Sequence, residues 1–304
     1  MDSEILVIGA AIVDVLARPV GADVFETGSQ PVDEICMSTG GDALNEATVL
    51  ARMGKKVSLC TVLGDDMAGR IIVEHCRDEG IEVEEDCIRK EITTGVNIVL
   101  VEKDGERNFL TNPHGSLRKL TASDIRLPFP DTIKILSFAS IFVSPEMGTP
   151  EMETVFRAAK EQGITVCADM TKCKNGERAE DIAPALKYVD YLFSNSEEAA
   201  LLTGGKTPEE CAALLAETGA GHVIVKCGAQ GCFVCAGGRC FYVPAEKTES
   251  CVDTTGAGDS FAAGFIWALS EGKPPDECAA YACHCGAQAV MSAGAVRWSE
   301  KMKL

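Results

Sequence analysis

Asp253-Thr254-Thr255-Gly256-Ala257-Gly258-Asp259-Ser260-Phe261 is the stretch from which the fold can be read. Two glycines sit in a polar turn and an aspartate follows. An apolar helical run then begins at Phe261 and continues through Ala262, Ala263, Phe265, Ile266, Ala268 and Leu269. A glycine turn opening a helix presents unpaired backbone N–H groups and the positive end of the helix dipole. That arrangement suits an anion, phosphate above all. The Asp259 carboxylate would repel a bound phosphate, so it needs another task. The economical one is a general base that takes a proton from a hydroxyl attacking that phosphate. An ordinary loop with a capped helix has the same pattern, so the rest of the chain decides.

Upstream of this turn, from about residue 121, strands and helices alternate. Strands are expected at 133–138, 165–169, 188–193 and 222–226, with helices at 150–161, near 181–186, and at 197–202 and 208–218. Such alternation predicts a parallel sheet covered on both faces. A hairpin over Gly237-Gly238 joins strands 232–236 and 239–243, and helices 256–271 and 275–292 close the chain. Near the other end, Ile5–Gly9 reads as an inner strand. Asp14 follows in apolar company, placed to accept a substrate hydroxyl beyond a strand end or to serve as a paired structural carboxylate. Gly40-Gly41-Asp42-Ala43-Leu44-Asn45 opens a second helix that stops at Gly54. At least one of Asp65 and Asp66 reads as a helix cap. Residues 81–110 are β-rich, with a hairpin-type turn at Lys103-Asp104-Gly105-Glu106. Together with 11–18 and 31–37 they predict a small antiparallel sheet outside the main fold.

Composition narrows the function. The 304 residues carry 28 basic and 46 acidic side chains, a net charge of −18, which argues against binding nucleic acid or an anionic membrane. Any phosphate site must therefore be built locally. No signal peptide or membrane-length apolar run is evident, which predicts a cytoplasmic protein whose 15 cysteines are reduced thiols. Cys232 and Cys235 form a C-x-x-C without a partner pair, and Cys283 and Cys285 offer no better site. The 4 histidines do not cluster. Gly204-Gly205-Lys206-Thr207 fails as a phosphate loop because Ala200 stands where glycine is required, and no G-x-G-x-x-G follows the first strand.

Two further strand ends carry chemistry. Asn195-Ser-Glu-Glu198 starts a helix; it is either a cap with a dipole-favoured acid or a nucleotide site, with Asn195 near phosphate and Glu198 near magnesium through water. Val225-Lys226-Cys227-Gly228-Ala229-Gln230-Gly231 runs from a strand into a glycine loop that can line a phosphate or adenine pocket.

The Gly-Gly helix start, N-x-x-E, the Lys226 loop and D-T-T-G-A-G-D-S-F, in that order, resemble the ribokinase-like (pfkB) carbohydrate kinases over nearly the whole chain. The resemblance implies a single three-layer α/β/α domain over 1–304 with a mainly parallel sheet. It also implies a small β lid from about 11–37 and 81–111 that closes over the sugar and often dimerises. It implies ATP-dependent phosphorylation of a primary hydroxyl, with Asp259 as base and the amides of Gly256, Ala257 and Gly258 as an anion hole. Asn195, Lys226, Gly228, Gly231, Gly258 and Cys283 fall at the ATP site, Glu198 at the magnesium motif, and Asp14, Gly41 and Asn45 at sugar-binding positions. Asp42 either touches a sugar hydroxyl or caps its helix. Asp253 and Thr255 match positions that in many members hold a monovalent cation, commonly potassium. The sequence departs from the family at Lys226, where a neutral residue is frequent, and at Cys283, where asparagine is common. A nucleoside kinase, with Phe109 or Phe25 flanking a base, and a non-catalytic sugar or nucleotide sensor are the alternatives.

Overall fold

The computed structural model describes residues 2–103 and 106–302. A nine-stranded sheet runs in the order Arg239–Val243, Cys232–Ala236, His222–Lys226, Tyr191–Asn195, Thr165–Met170, Ile135–Ile141, Ile5–Ile8, Val57–Cys60, Glu82–Val83. The seven strands from His222–Lys226 to Glu82–Val83 are mutually parallel, and the terminal hairpin is antiparallel. Ile135–Ile141 is buried at every position, as a strand covered on both faces must be.

Each sheet face has its own core. On one face, the helices Asp42–Arg52, Met67–Glu79, Ala257–Ser270 and Pro275–Val290 pack Leu44, Leu50, Ile72, Phe265 and Cys278 against the strands. On the other, Thr149–Glu161, Ala179–Leu186, Ser196–Thr203 and Pro208–Ala216 contribute Phe156, Ile182, Leu202 and Leu215. The three-layer arrangement is thus present, and no described helix is long and apolar enough to cross a membrane.

A smaller, separate sheet has the order Glu34–Gly40, Ile12–Arg18, Val96–Val101, Arg107–Thr111. It differs from expectation in two respects. Its two inner strands, Ile12–Arg18 and Val96–Val101, are parallel. The chain leaves the small sheet after Gly40, crosses the main sheet, and re-enters in the same direction. Residues 81–94 do not join the small sheet: Glu82–Val83 pairs with Val57–Cys60 at the edge of the main sheet, and Ile88–Arg89 pairs with Leu63–Gly64. Of the expected turn at Lys103–Glu106, residues 104 and 105 lie outside the described residues.

The hairpin over Gly237-Gly238 sets Cys235 opposite Cys240, and these two form a disulfide, so the expectation that every cysteine is a free thiol is corrected. Direct opposition brings the Cα atoms to 4.2 Å, a separation a disulfide can span only when both Cβ vectors face the same side of the pair.

Candidate active site

The glycine turn is built as the sequence suggests. Gly256 is the N-cap of Ala257–Ser270 in the left-handed region (φ 72°), and a Cβ there would lie 2.6 Å from Ala295. Only glycine satisfies both constraints. Asp259 falls in the first helical turn, so the helix dipole favours its charge. Asn45 Nδ2 donates to Asp259 Oδ2 at 2.7 Å. This bond joins the two glycine-started helices across 214 residues of chain. Enclosure of Asp259 pushes its carboxyl up to about 6; the Asn45 hydrogen bond and the Lys226 charge work in the opposite direction.

Asp42 is the first residue of the helix capped by Gly41, so it is not itself the cap. Its carboxylate instead accepts from the Ser140 hydroxyl at the end of the central strand. Burial and the neighbouring Asp259 and Asp169 charges raise it to about 8. One helical turn on, Glu46 is 1% exposed and is likewise pushed to about 8 by burial.

Sequence reasoning missed Asp169. It sits near the end of Thr165–Met170, and its Oδ2 receives Lys226 Nζ at 2.5 Å. Burial works against the Lys226 charge, and the carboxylates of Asp169, Glu198 and Asp259 together outweigh it, holding the ammonium above its usual range. A carboxylate at the C-terminal end of an inner parallel strand was the available signal.

A cleft of ≈ 820 Å³ opens over the C-terminal ends of these strands. Its walls include Asp42, Asp169, Lys226, Gly258 and Asp259. Asn195, Glu198, Gly228 and Gly231 also line it, while Cys283, Ala287 and Val290 give it an apolar surface. Asn195 and Glu198 form a reciprocal capping box: Glu198 N donates to Asn195 Oδ1 at 2.9 Å and Asn195 N to Glu198 Oε2 at 2.8 Å. The cap and the cleft wall are thus the same residues. Burial raises the Glu198 carboxyl. Cys283 Sγ lies 3.8 Å from Cys232 Sγ, beside the cleft.

Asp14 stands on the small sheet, aligned with Asn97, whose Nδ2 donates to Asp14 Oδ1 at 3.2 Å. Burial raises its carboxyl. Asn97 Oδ1 is buried without a partner. Asp253 and Thr255 are drawn together by Arg107: its Nη2 donates to Asp253 Oδ1 at 2.7 Å and its Nη1 to the Thr255 hydroxyl. Of the two candidate cap residues downstream of the Val57–Cys60 strand, Asp66 accepts from Gly69 N at 2.8 Å, whereas Asp65 pairs with Arg70.

The family model described as pfkB family carbohydrate kinase matches residues 2–302. Among curated relatives, the aminoimidazole riboside kinase of Salmonella typhimurium is 28% identical over 267 residues, covering 84% of this chain and 83% of that protein. The ribokinase of Haemophilus influenzae is 27% identical over 268 residues, covering 84% and 82%. Among solved structures, an Arabidopsis thaliana ribokinase complexed with ribose and ATP superposes with a TM-score of 0.80 at 23% identity, covering 99% of both chains. With the family match spanning residues 2–302 and the sheet, cleft and glycine turn in place, this chain belongs to the pfkB family of carbohydrate kinases and is an ATP-dependent kinase.

Proposed function

We propose that the chain transfers the terminal phosphoryl group of ATP to a primary hydroxyl of a small sugar, with Asp259 as the base. The observation that carries this reading is the position of Asp259. It is recessed in the cleft wall beside three backbone amides at a helix N-terminus, and its carboxyl is tuned to about 6. A base with that pKa is ionised at neutral pH yet basic enough to accept a hydroxyl proton as the bond forms. In the step, the bond between the γ-phosphorus and the bridging oxygen breaks and a bond to the sugar oxygen forms. The hydroxyl proton passes to Asp259, and ADP leaves.

The residues present fit the nucleotide and its metal. The cleft has the volume of a small-molecule site and pairs an apolar surface for a base with amides and Lys226 for phosphates. Among the described residues, no group of three or more His, Cys, Asp or Glu side chains is arranged to hold a metal. A magnesium ion would therefore be held largely by the phosphates and water, with Glu198 as its protein carboxylate, and would neutralise charge developing on the phosphoryl oxygens. Lys226 would reach the phosphates by leaving or sharing Asp169.

Asp14 and Asn97 support a polyhydroxylated acceptor, because a hydroxyl donor would satisfy the buried Asn97 Oδ1. Gly41, Asp42 and Asn45 complete that subsite, and the small sheet serves as its lid. Phe109 lies on the same strand register face as Asp14 and favours a nucleoside as the second reading. A homodimer through the lid is supported by its other face, where Met37, Val15, Ile98 and Leu110 form one cross-strand row. Met37, Ile98 and Leu110 are 58%, 41% and 51% exposed. Potassium at Asp253 and Thr255 has less support, since Arg107 already engages both side chains. A cytoplasmic location is supported by the thiols that remain free, most of them buried.

The test is a panel of sugars and nucleosides in an ATP-consumption assay, repeated with Asp259→Asn. Loss of base catalysis should lower turnover about 10²–10⁴-fold while ATP binding persists. Turnover like that of the unmodified chain would refute the assignment of Asp259.

A further inference from the structure

Residues 253–255 belong to no helix or strand, yet they lead directly into the amides of the glycine turn. Backbone bonds hold them only in part, from Asp253 N to the Val290 carbonyl and from Ala257 N to the Thr254 carbonyl, both at 3.3 Å; side-chain bonds supply the rest. From behind, Asp253 Oδ2 accepts from Gly294 N at 2.9 Å, next to the Ala295 against which Gly256 packs. Within the segment, Asp253 Oδ1 accepts from Thr255 N at 2.9 Å. From the front, Arg107 arrives from the first position of an outer strand of the small sheet and forks onto Asp253 Oδ1 and the Thr255 hydroxyl. The side chain of Asp253 is 8% exposed and that of Arg107 is 29% exposed, so the pair is largely removed from water. Removing Arg107 would leave the buried Asp253 carboxylate with the Gly294 and Thr255 amides but without its counter-charge, and would leave the Thr255 hydroxyl without the guanidinium.

We propose that Arg107 is a positioning residue for phosphoryl transfer: from the small sheet it supplies the cation that holds the Asp253–Thr255 segment, and so aims the amides of Gly256, Ala257 and Gly258 at the transferred group. A guanidinium fork fits this task better than a loose monovalent ion. It bonds two side-chain oxygens at fixed spacing and ties the small sheet to the turn in the same contact. The amides reach their working geometry when the small sheet sits where it sits here. Arg107 touches neither substrate in this scheme; it acts through the turn.

The inference rests on the kinase reading above, and the experiment separates the two. Steady-state kinetics of the unmodified chain, Arg107→Ala and Arg107→Lys would be measured on the best substrate of the panel, in potassium and in tetramethylammonium salts. Misplacing preorganised donors by a fraction of an ångström to one ångström costs about 10²-fold in rate. Arg107→Ala should lose kcat on that scale with an unchanged KM for ATP, and millimolar guanidinium ion should restore part of it. Arg107→Lys should recover only part, lacking the fork. The unmodified chain should turn over equally in both salts. Hydrogen exchange at the amides of residues 255–258, which needs no turnover, should accelerate in Arg107→Ala. Full kcat in Arg107→Ala, unchanged exchange at the turn, or an absolute potassium requirement of the unmodified chain would each overturn the inference. An unmodified chain that phosphorylates nothing in the panel, while exchange at the turn still responds to Arg107→Ala, would overturn the proposed phosphorylation of a small sugar and leave the role of Arg107 in shaping the turn standing.

Discussion

Asn45→Ala offers a test of the base that does not depend on removing it. The Asn45 amide donates at 2.7 Å to the oxygen of Asp259, and Asn45 is 6% exposed. A hydrogen bond to a charged group contributes about 1.5–3 kcal/mol, and about 1.4 kcal/mol corresponds to one pKa unit. Loss of the bond alone would therefore raise the Asp259 carboxyl by about one to two units. Water entering from the open cleft replaces part of the lost donor, which favours the lower figure. The base must be ionised to act. Its pKa already lies at about 6, above the ordinary aspartate value of 3.8, so activity falls as pH drops through about 6. In Asn45→Ala that acidic limb should move up by about one unit. The assay is kcat/KM for the acceptor from pH 5 to 9 at saturating ATP. Asn45 also belongs to the proposed acceptor subsite, so the height of the profile is expected to drop; the position of the limb is the informative quantity. A limb that stays near 6, or moves down, would show that Asp259 is not the group whose ionisation governs the rate.

Two other substitutions probe the same neighbourhood. Glu46→Gln should raise the melting temperature of the ligand-free chain at pH 8 and leave it unchanged near pH 4. The Glu46 carboxyl is raised from 4.5 to about 8 by burial, so the stability associated with its proton is present below 4.5 and lost as pH rises toward 8; equal melting shifts at both pH values would contradict this. Gly256→Ala should destabilise the chain by about 1–3 kcal/mol, as strain at a left-handed position does, and should abolish turnover, because its Cβ meets Ala295 at 2.6 Å. Urea unfolding and the kinase assay would measure both, and a fully active, equally stable variant would disprove the steric argument.

Most of the fold was legible because its strands and helices alternate with distinct periods. Ile135–Ile141 and Asp42–Arg52 differ so plainly in patterning that no other assignment competes. The Asp259 turn was legible for a different reason: its geometry is local, written in nine consecutive residues. What escaped lies in contacts between distant segments. Arg107 meets Asp253 across 146 residues, and Lys226 meets Asp169 across 57, and neither pairing leaves a trace in spacing. The parallel entry of Val96–Val101 beside Ile12–Arg18 was hidden because β-rich segments look alike in either direction. The Cys235–Cys240 bridge was within reach: a hairpin over Gly237-Gly238 places residue 235 opposite 240 by counting alone.

The chain passes between the two sheets four times, at residues 9–11, at Gly41, between 89 and 96, and after 111. The first two passages touch: a Cβ on Gly41 would lie 2.6 Å from the Ala10 carbonyl oxygen. A flap on a single tether swings freely, whereas a body fastened at four points has far less freedom. Asp42 and Asn45 belong to a helix on the main sheet, while Asp14 belongs to the small sheet. If the small sheet acts as the proposed lid, its displacement would carry Asp14 away from Asp259 as it opens the cleft, so that opening and release of the acceptor would be one motion.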